Sequence, residues 1–358
     1  MVPKRVLFQV HKYGGLGAAL FILAQALSGI LLVLRRGPGP AGLTGEAPAS
    51  GVSPGDVLAT LAAAHPQDLL QRLVFPDRPE APFLAHLWEP DGTIRYVALD
   101  PGTAHILRDG PLWRFPAEIL SHLHDQMLAG RPGTAAIILV GLVTVATTLA
   151  GVAHWWPRPG RWRQSLTVQW RQPARLVLRQ AHRTLGAVAA LLVGVSALSG
   201  LTLAVPMLLD APPPPSSPTT IMATDVDTAL ASARALFPGH AVRDLRFPGP
   251  KLLDVYFHAP ERNAEAVHKV RIDLADQHVV QVVAANDDHA AWVVVLPLHT
   301  GVLGGGLGRA LALFSGLSLA MMAVTGPAMW LQLALAKARN RRRQMAGAPS
   351  NVARKARP

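Results

Sequence analysis

A histidine at the basic mouth of a helix-length apolar stretch occurs twice in this chain, in HKYGGLGAALFILAQALSGI from His11 and in HRTLGAVAALLVGVSALSGL from His182. At identical offsets Gly15 matches Gly186, and Ser28-Gly29 matches Ser199-Gly200. Each stretch supplies the roughly 20 apolar residues that one bilayer crossing needs. Lipid asks only for apolar side chains and a satisfied backbone, so a mere anchor has no reason to hold histidine, glycine and serine in register in two copies. The chain must fold so that both segments occupy equivalent surroundings.

A second motif repeats in the same way. LHDQMLAGRPG (123–133) aligns with LHTGVLGGGLG (298–308), pairing His124 with His299, Gly130 with Gly305 and Gly133 with Gly308. Gly151 and Trp155 then follow His124 at the same distances as Gly326 and Trp330 follow His299. The pattern reads as a tandem duplication of helix, module, helix, and parallel repeats of this kind pack about a pseudo-twofold axis along the membrane normal. The expected fold class is an α-helical integral membrane protein with four transmembrane helices and two small α+β modules.

Composition agrees: 50% of the residues are hydrophobic and 16% charged, a membrane-protein balance. The net charge of +12 invites a nucleic-acid reading, but its placement excludes one. Segments 1–12, 157–183 and 337–358 carry three, seven and eight of the 34 Lys and Arg and none of the 22 acids. Basic clusters abutting apolar helices are the positive-inside signature, with anionic lipid as partner. The first apolar segment outlasts a signal peptide's core of about 7–15 residues, so it is expected to remain as a span. The localisation expected is a bacterial inner (cytoplasmic) membrane, multi-pass, with both termini cytoplasmic. Cysteine is absent, which excludes disulfides, thiolate chemistry and cysteine-held metals and leaves histidine as the redox-metal ligand.

The boundaries follow in order. Residues 1–36 hold transmembrane helix 1, 37–122 a periplasmic module, 123–157 helix 2, 158–181 a basic cytoplasmic loop and 182–210 helix 3. A second module occupies 211–297, helix 4 occupies 298–336, and 337–358 form a basic tail. Gly/Pro-rich stretches at 37–55 and 211–220 read as linkers. In the first module a helix is expected at 56–65 and strands at 84–88, 94–99 and 105–107; in the second, a helix at 226–236 and strands at 253–257, 269–272 and 278–283. The hairpin VALDPGTAHIL (97–107) is echoed by VRIDLADQHVV (270–280).

The repeat makes two equivalent histidine pairs, His11 with His182 near the cytoplasmic ends of spans one and three, and His124 with His299 near the outer ends of spans two and four. Two imidazoles facing each other in a helix bundle are the usual setting of a six-coordinate b-type haem, so two haems are expected. At about 100° per residue, offsets of 4 and 18 keep His182, Gly186 and Gly200 on one face, and His11, Gly15 and Gly29 likewise. Gly15 and Gly186 would leave room for a flat macrocycle. Gly29 and Gly200, about 27 Å further along, lie where a second one needs room. Gly130, Gly133, Gly305 and Gly308 fit close helix packing or helix starts. His154, whose repeat partner is Met329, is either an extra axial ligand or an interfacial residue beside Trp155. His122 is an alternative to His124 without a counterpart in the repeat. Lys12, Arg183, Arg131 and Arg309 either neutralise haem propionates or snorkel to the interface.

These residues resemble the PepSY-associated transmembrane family: H-[KR]-x-x-G opens spans one and three, the LH…G…G motif opens spans two and four, and PepSY-like helix-and-hairpin modules lie between. The resemblance implies an inner-membrane ferrisiderophore reductase that passes electrons through histidine-bound haem to ferric iron held by a siderophore. Some relatives carry a fused flavin reductase domain and this chain shows none, so a quinol or a cytoplasmic reductase is the expected electron donor. The alternative reading is a haem-free sensor or chaperone-like protein whose modules bind a peptide. A transporter reading has little support, because no acidic residue lies within the apolar stretches 13–34, 134–156, 184–209 and 308–336 to couple ions.

Overall fold

The computed structural model describes residues 3–35, 43, 45, 52–209, 223–249 and 251–346. In chain order the elements are α1 (Lys4–Leu34), α2 (Pro54–Ala64), β1 (Leu69–Val74), β2 (Phe83–Trp88), β3 (Ile94–Leu99), β4 (Ile106–Pro111), α3 (Pro116–Gln126), α4 (Gly130–Trp155), a single turn α5 (Trp162–Ser165) and α6 (Ala174–Leu209). Then come α7 (Ala223–Leu236), β5 (Val242–Gly249), β6 (Leu252–His258), β7 (Val267–Asp273), β8 (His278–Val283), α8 (Ala291–His299) and α9 (Gly305–Ala346). The helices α1, α4, α6 and α9 are long and apolar enough to cross a membrane. Most of the linker expected at 37–55, the proline-rich stretch 211–220 and the tail residues 347–358 lie outside the described residues.

The chain divides into two units. The helical unit draws on residues 1–27, 140–197 and 314–358. Ala18 and Ile22 of α1, Val140 of α4 and Ala323 of α9 bury one another there, while Leu20 and Leu191 are 75% and 77% exposed. Small residues inward and large aliphatics outward is the pattern of helices whose solvent is lipid.

The second unit, residues 28–139 and 198–313, is built on one antiparallel sheet of order β4-β3-β2-β1-β5-β6-β7-β8. Both amphipathic helices, α2 and α7, pack with one face of this sheet into a single core that includes Val57, Leu73, Val97, Leu230, Leu245, Val255 and Ile272. A capping box at Ser53 and Asp56 starts α2, and Asp227 of α7 accepts from Ser53 Oγ at 3.0 Å and from Gly55 N at 2.9 Å, tying the two helices together. The expected pair of separate modules is therefore corrected to one sheet on which α2 and α7 share a core. Its seam is β1 against β5, with Arg72 opposite Arg246, Leu73 opposite Leu245 and Val74 opposite Asp244. Each four-stranded half alone would leave an edge of unpaired backbone groups, and joining the edges satisfies both.

Some boundaries also move. α1 starts at Lys4, α6 starts at Ala174 inside the expected basic loop, and α9 carries the basic run through Arg343 as helix. His124 and His299 do not open spans two and four: each ends a separate short helix, α3 or α8. Met127 and Leu128 take left-handed backbone after α3, and Gly130 begins α4. A Cβ on Gly133 would collide with the Gln126 carbonyl, and one on Gly308 with the Gly301 carbonyl. The glycines of the motif thus let each histidine-bearing helix fold back against the span that follows it.

Candidate functional site

Within the helical unit, His11 of α1 and His182 of α6 stand with ring centroids 6.1 Å apart. His11 Nδ1 lies 2.9 Å from the Thr147 carbonyl oxygen, which only accepts, so Nδ1 carries the proton. His182 Nδ1 lies 2.7 Å from Thr325 Oγ1, whose own proton goes to the Met321 carbonyl at 2.6 Å, so Nδ1 is again the donor. Both rings are left with a free lone pair on Nε2. Orientation of a ligating imidazole through its other N–H is the usual outer shell of a metal site. A Cβ on Gly151 of α4 would stand 2.8 Å from His11 Nδ1, and one on Gly326 of α9 would stand 3.8 Å from His182 Cε1.

The second unit repeats the arrangement. His124 of α3 and His299 of α8 are again 6.1 Å apart between centroids. Ser28 Oγ lies 3.0 Å from His124 Nδ1, and Ser199 Oγ lies 2.9 Å from His299 Nδ1. Cβ atoms on Gly29 and Gly200 would come 3.0 Å and 3.2 Å from Cε1 of His124 and His299. The Ser-Gly pair of the first motif therefore serves the second pair of histidines, the serine holding the ring nitrogen and the glycine making room for the ring.

An imidazole nitrogen sits about 1.2 Å from its ring centre and about 2.0 Å from a coordinated metal, so two imidazoles on opposite sides of one iron have centroids about 6.4 Å apart. Both pairs fit that spacing, with each ring seated against a glycine. Of the other glycines, Gly15 has no atom within 4 Å of an added Cβ, and Gly186 meets Met322 Sδ at 3.3 Å.

The remaining candidates separate. His122 Nε2 is engaged by the Tyr96 hydroxyl at 2.8 Å, so His124 and not His122 faces His299. His154 is exposed and packs on Phe8 at 5.3 Å, away from the pairing of His11 with His182. Arg183 donates to the Thr167 carbonyl at 3.1 Å with its Nε buried and unpartnered, Arg131 donates to the Leu208 carbonyl at 3.1 Å, Lys12 lies over Tyr13, and Arg309 is exposed.

Sequence reasoning assigned no role to Ser28, Ser199, Thr147 or Thr325. All four are buried, at most 7% exposed, and polar side chains buried in apolar helices were the available signal. Among the described residues one other group has metal-like spacing, His240, Glu261 and His268. There the Ala285 N–H donates to His268 Nδ1 at 3.0 Å, so the His268 proton sits on Nε2 and no lone pair is left for a metal.

These features define a multi-pass helical membrane protein with paired histidines in its helices. The chain belongs to the family described as the PepSY-associated TM region, which matches residues 8–332. No curated protein matches the chain.

Proposed function

We propose that the protein is an inner-membrane electron carrier with two b-type haems, one on His11 and His182 and one on His124 and His299, that reduces siderophore-bound ferric iron on the periplasmic side. The observation that carries this is the recurrence, in both pairs, of a 6.1 Å ring separation with Nδ1 engaged by a neighbouring residue and the ring seated against a glycine. A haem so held supplies a reversible one-electron couple. The chain's own residues fix its ligands. Thr147 and Thr325 orient the first pair, Ser28 and Ser199 the second, and the glycines leave room for the rings.

The basic segments support an orientation with both termini in the cytoplasm and the sheet in the periplasm. In this reading the first pair takes electrons from a quinol or a cytoplasmic reductase. Ferrous iron is bound less tightly than ferric iron by hard oxygen donors, so reduction releases it. The matching order of α2 with β1–β4 and α7 with β5–β8 supports an internal duplication of PepSY-like modules joined edge to edge. The test is anaerobic mixing of dithionite-reduced protein with a ferric chelate: the reduced α-band should vanish as ferrous iron appears. A reduced band that persists would contradict the reductase assignment.

A further inference from the structure

The two halves of the sheet carry different charges at equivalent places. Arg72 and Arg246 face each other across the seam. Outward from them the rows read Arg72, His86, Tyr96 on one side and Arg246, Asp254, Arg271 on the other. Asp254 neutralises its own half, taking Arg271 at 2.6 and 2.8 Å and Lys269 at 3.3 Å. His86 stands in the matching place on β2, and burial together with the Arg72 charge holds its imidazole down to about 3, so it is neutral. Arg72 must therefore reach across the seam to Asp244 at 3.0 Å, which also takes Arg243 at 3.1 Å and Arg246 at 2.6 Å. Three guanidiniums share one buried carboxylate, an arrangement that leaves positive charge uncompensated.

A cavity of about 330 Å³ adjoins this cluster, lined by Arg35, Arg72 and His86 and by Glu118, His122 and Asp125 of α3, the helix that carries His124. His86 Nε2 is buried there with no hydrogen-bond partner. Counting Glu118 and Asp125 as ionised, the four guanidiniums of Arg35, Arg72, Arg243 and Arg246 still outnumber the three carboxylates of Asp244, Glu118 and Asp125 in and beside the cavity.

We propose that this cavity binds an anionic, oxygen-donor ferric chelate of the hydroxycarboxylate or catecholate class. The inference rests on the reductase reading and narrows its substrate by charge. Guanidiniums recognise carboxylate and catecholate oxygens through charge-assisted, often bidentate hydrogen bonds.

The test uses full-length protein in nanodiscs of zwitterionic lipid and a redox-inert probe, gallium(III) citrate, titrated calorimetrically. Binding should weaken about tenfold in Arg72→Gln and in Arg35→Gln, each removing one charge-assisted contact from the cavity wall. Arg35 lies outside the Asp244 network and covers the case in which Arg72→Gln misfolds. A gallium trihydroxamate of net positive charge should bind at least about tenfold more weakly than citrate. Equal binding of the two chelates, or wild-type affinity in both variants, would overturn the proposal. Because gallium is not reduced, haem-loaded protein that fails to discriminate sinks this inference alone, whereas haem-free protein that still binds gallium citrate sinks the electron-transfer reading and supports the site.

Discussion

The two histidine pairs share their ring separation and differ in what holds the rings. Ser28 and Ser199 occupy matching places in the repeated helix and hold His124 and His299 alike. Around the other pair the halves have drifted. His11 donates to a backbone carbonyl and His182 to a threonine hydroxyl, with Met322 standing where the first half has Thr147 and Ala150 where the second has Thr325. The geometry of the pair is thus kept while its outer shell is free to change. A carbonyl is the stronger acceptor and makes the donating imidazole more electron-rich, which favours the oxidised metal. The His11–His182 site should therefore have the lower reduction potential, and electrons should run downhill to the His124–His299 site.

The largest effects that would break this comparison are expected from the ligands themselves. His182→Ala should remove one haem of two, and His299→Ala the other, as read by haem-to-protein ratio; equal losses at both sites from either change would mean that the pairing is wrong. Next come the seats. Gly151→Ala, with its Cβ 2.8 Å from His11 Nδ1, should lower haem retention about tenfold or more, Gly29→Ala and Gly200→Ala less, and Gly326→Ala, at 3.8 Å, almost not at all. That ordering is measured by haem loss to apomyoglobin, and an effect of Gly326→Ala as large as that of Gly151→Ala would contradict the contacts. The outer shell should matter less. Thr325→Val removes the acceptor of His182 and should raise the potential of the first site only, whereas Ser199→Ala should raise that of the second only, in redox titrations of each variant. Smallest is the splitting in the unaltered protein, which should appear as two resolved one-electron steps; a single two-electron-wide step would remove the inequality of the pairs.

Much of this arrangement is legible in the sequence because a motif that occurs twice doubles a weak signal. One histidine at a membrane boundary says little, but His11 with His182, and His124 with His299, can be paired from their matched offsets alone. Strands β3 and β8 are legible for a similar reason, as apolar runs ended by turns. The strands that escape a sequence reading, β1 and β5, are the two that form the seam. In LLQRLV and VRDLRFPG the face away from the core carries Arg72, Asp244 and Arg246, both arginines sharing the one carboxylate, and no local pattern announces an ion network completed by another strand. Without those strands, the joining of two modules into one sheet stays hidden as well. The break between α3 and α4 is hidden likewise, because the left-handed turn at Met127 and Leu128 uses residues that ordinarily continue a helix.

Haem stoichiometry tests the pairing of the four histidines most directly. Protein purified after haem-sufficient expression should show a Soret band and, by pyridine haemochrome, two b-type haems per chain with the spectrum of a low-spin, six-coordinate iron. A preparation of folded, full-length protein with no Soret absorbance would contradict it.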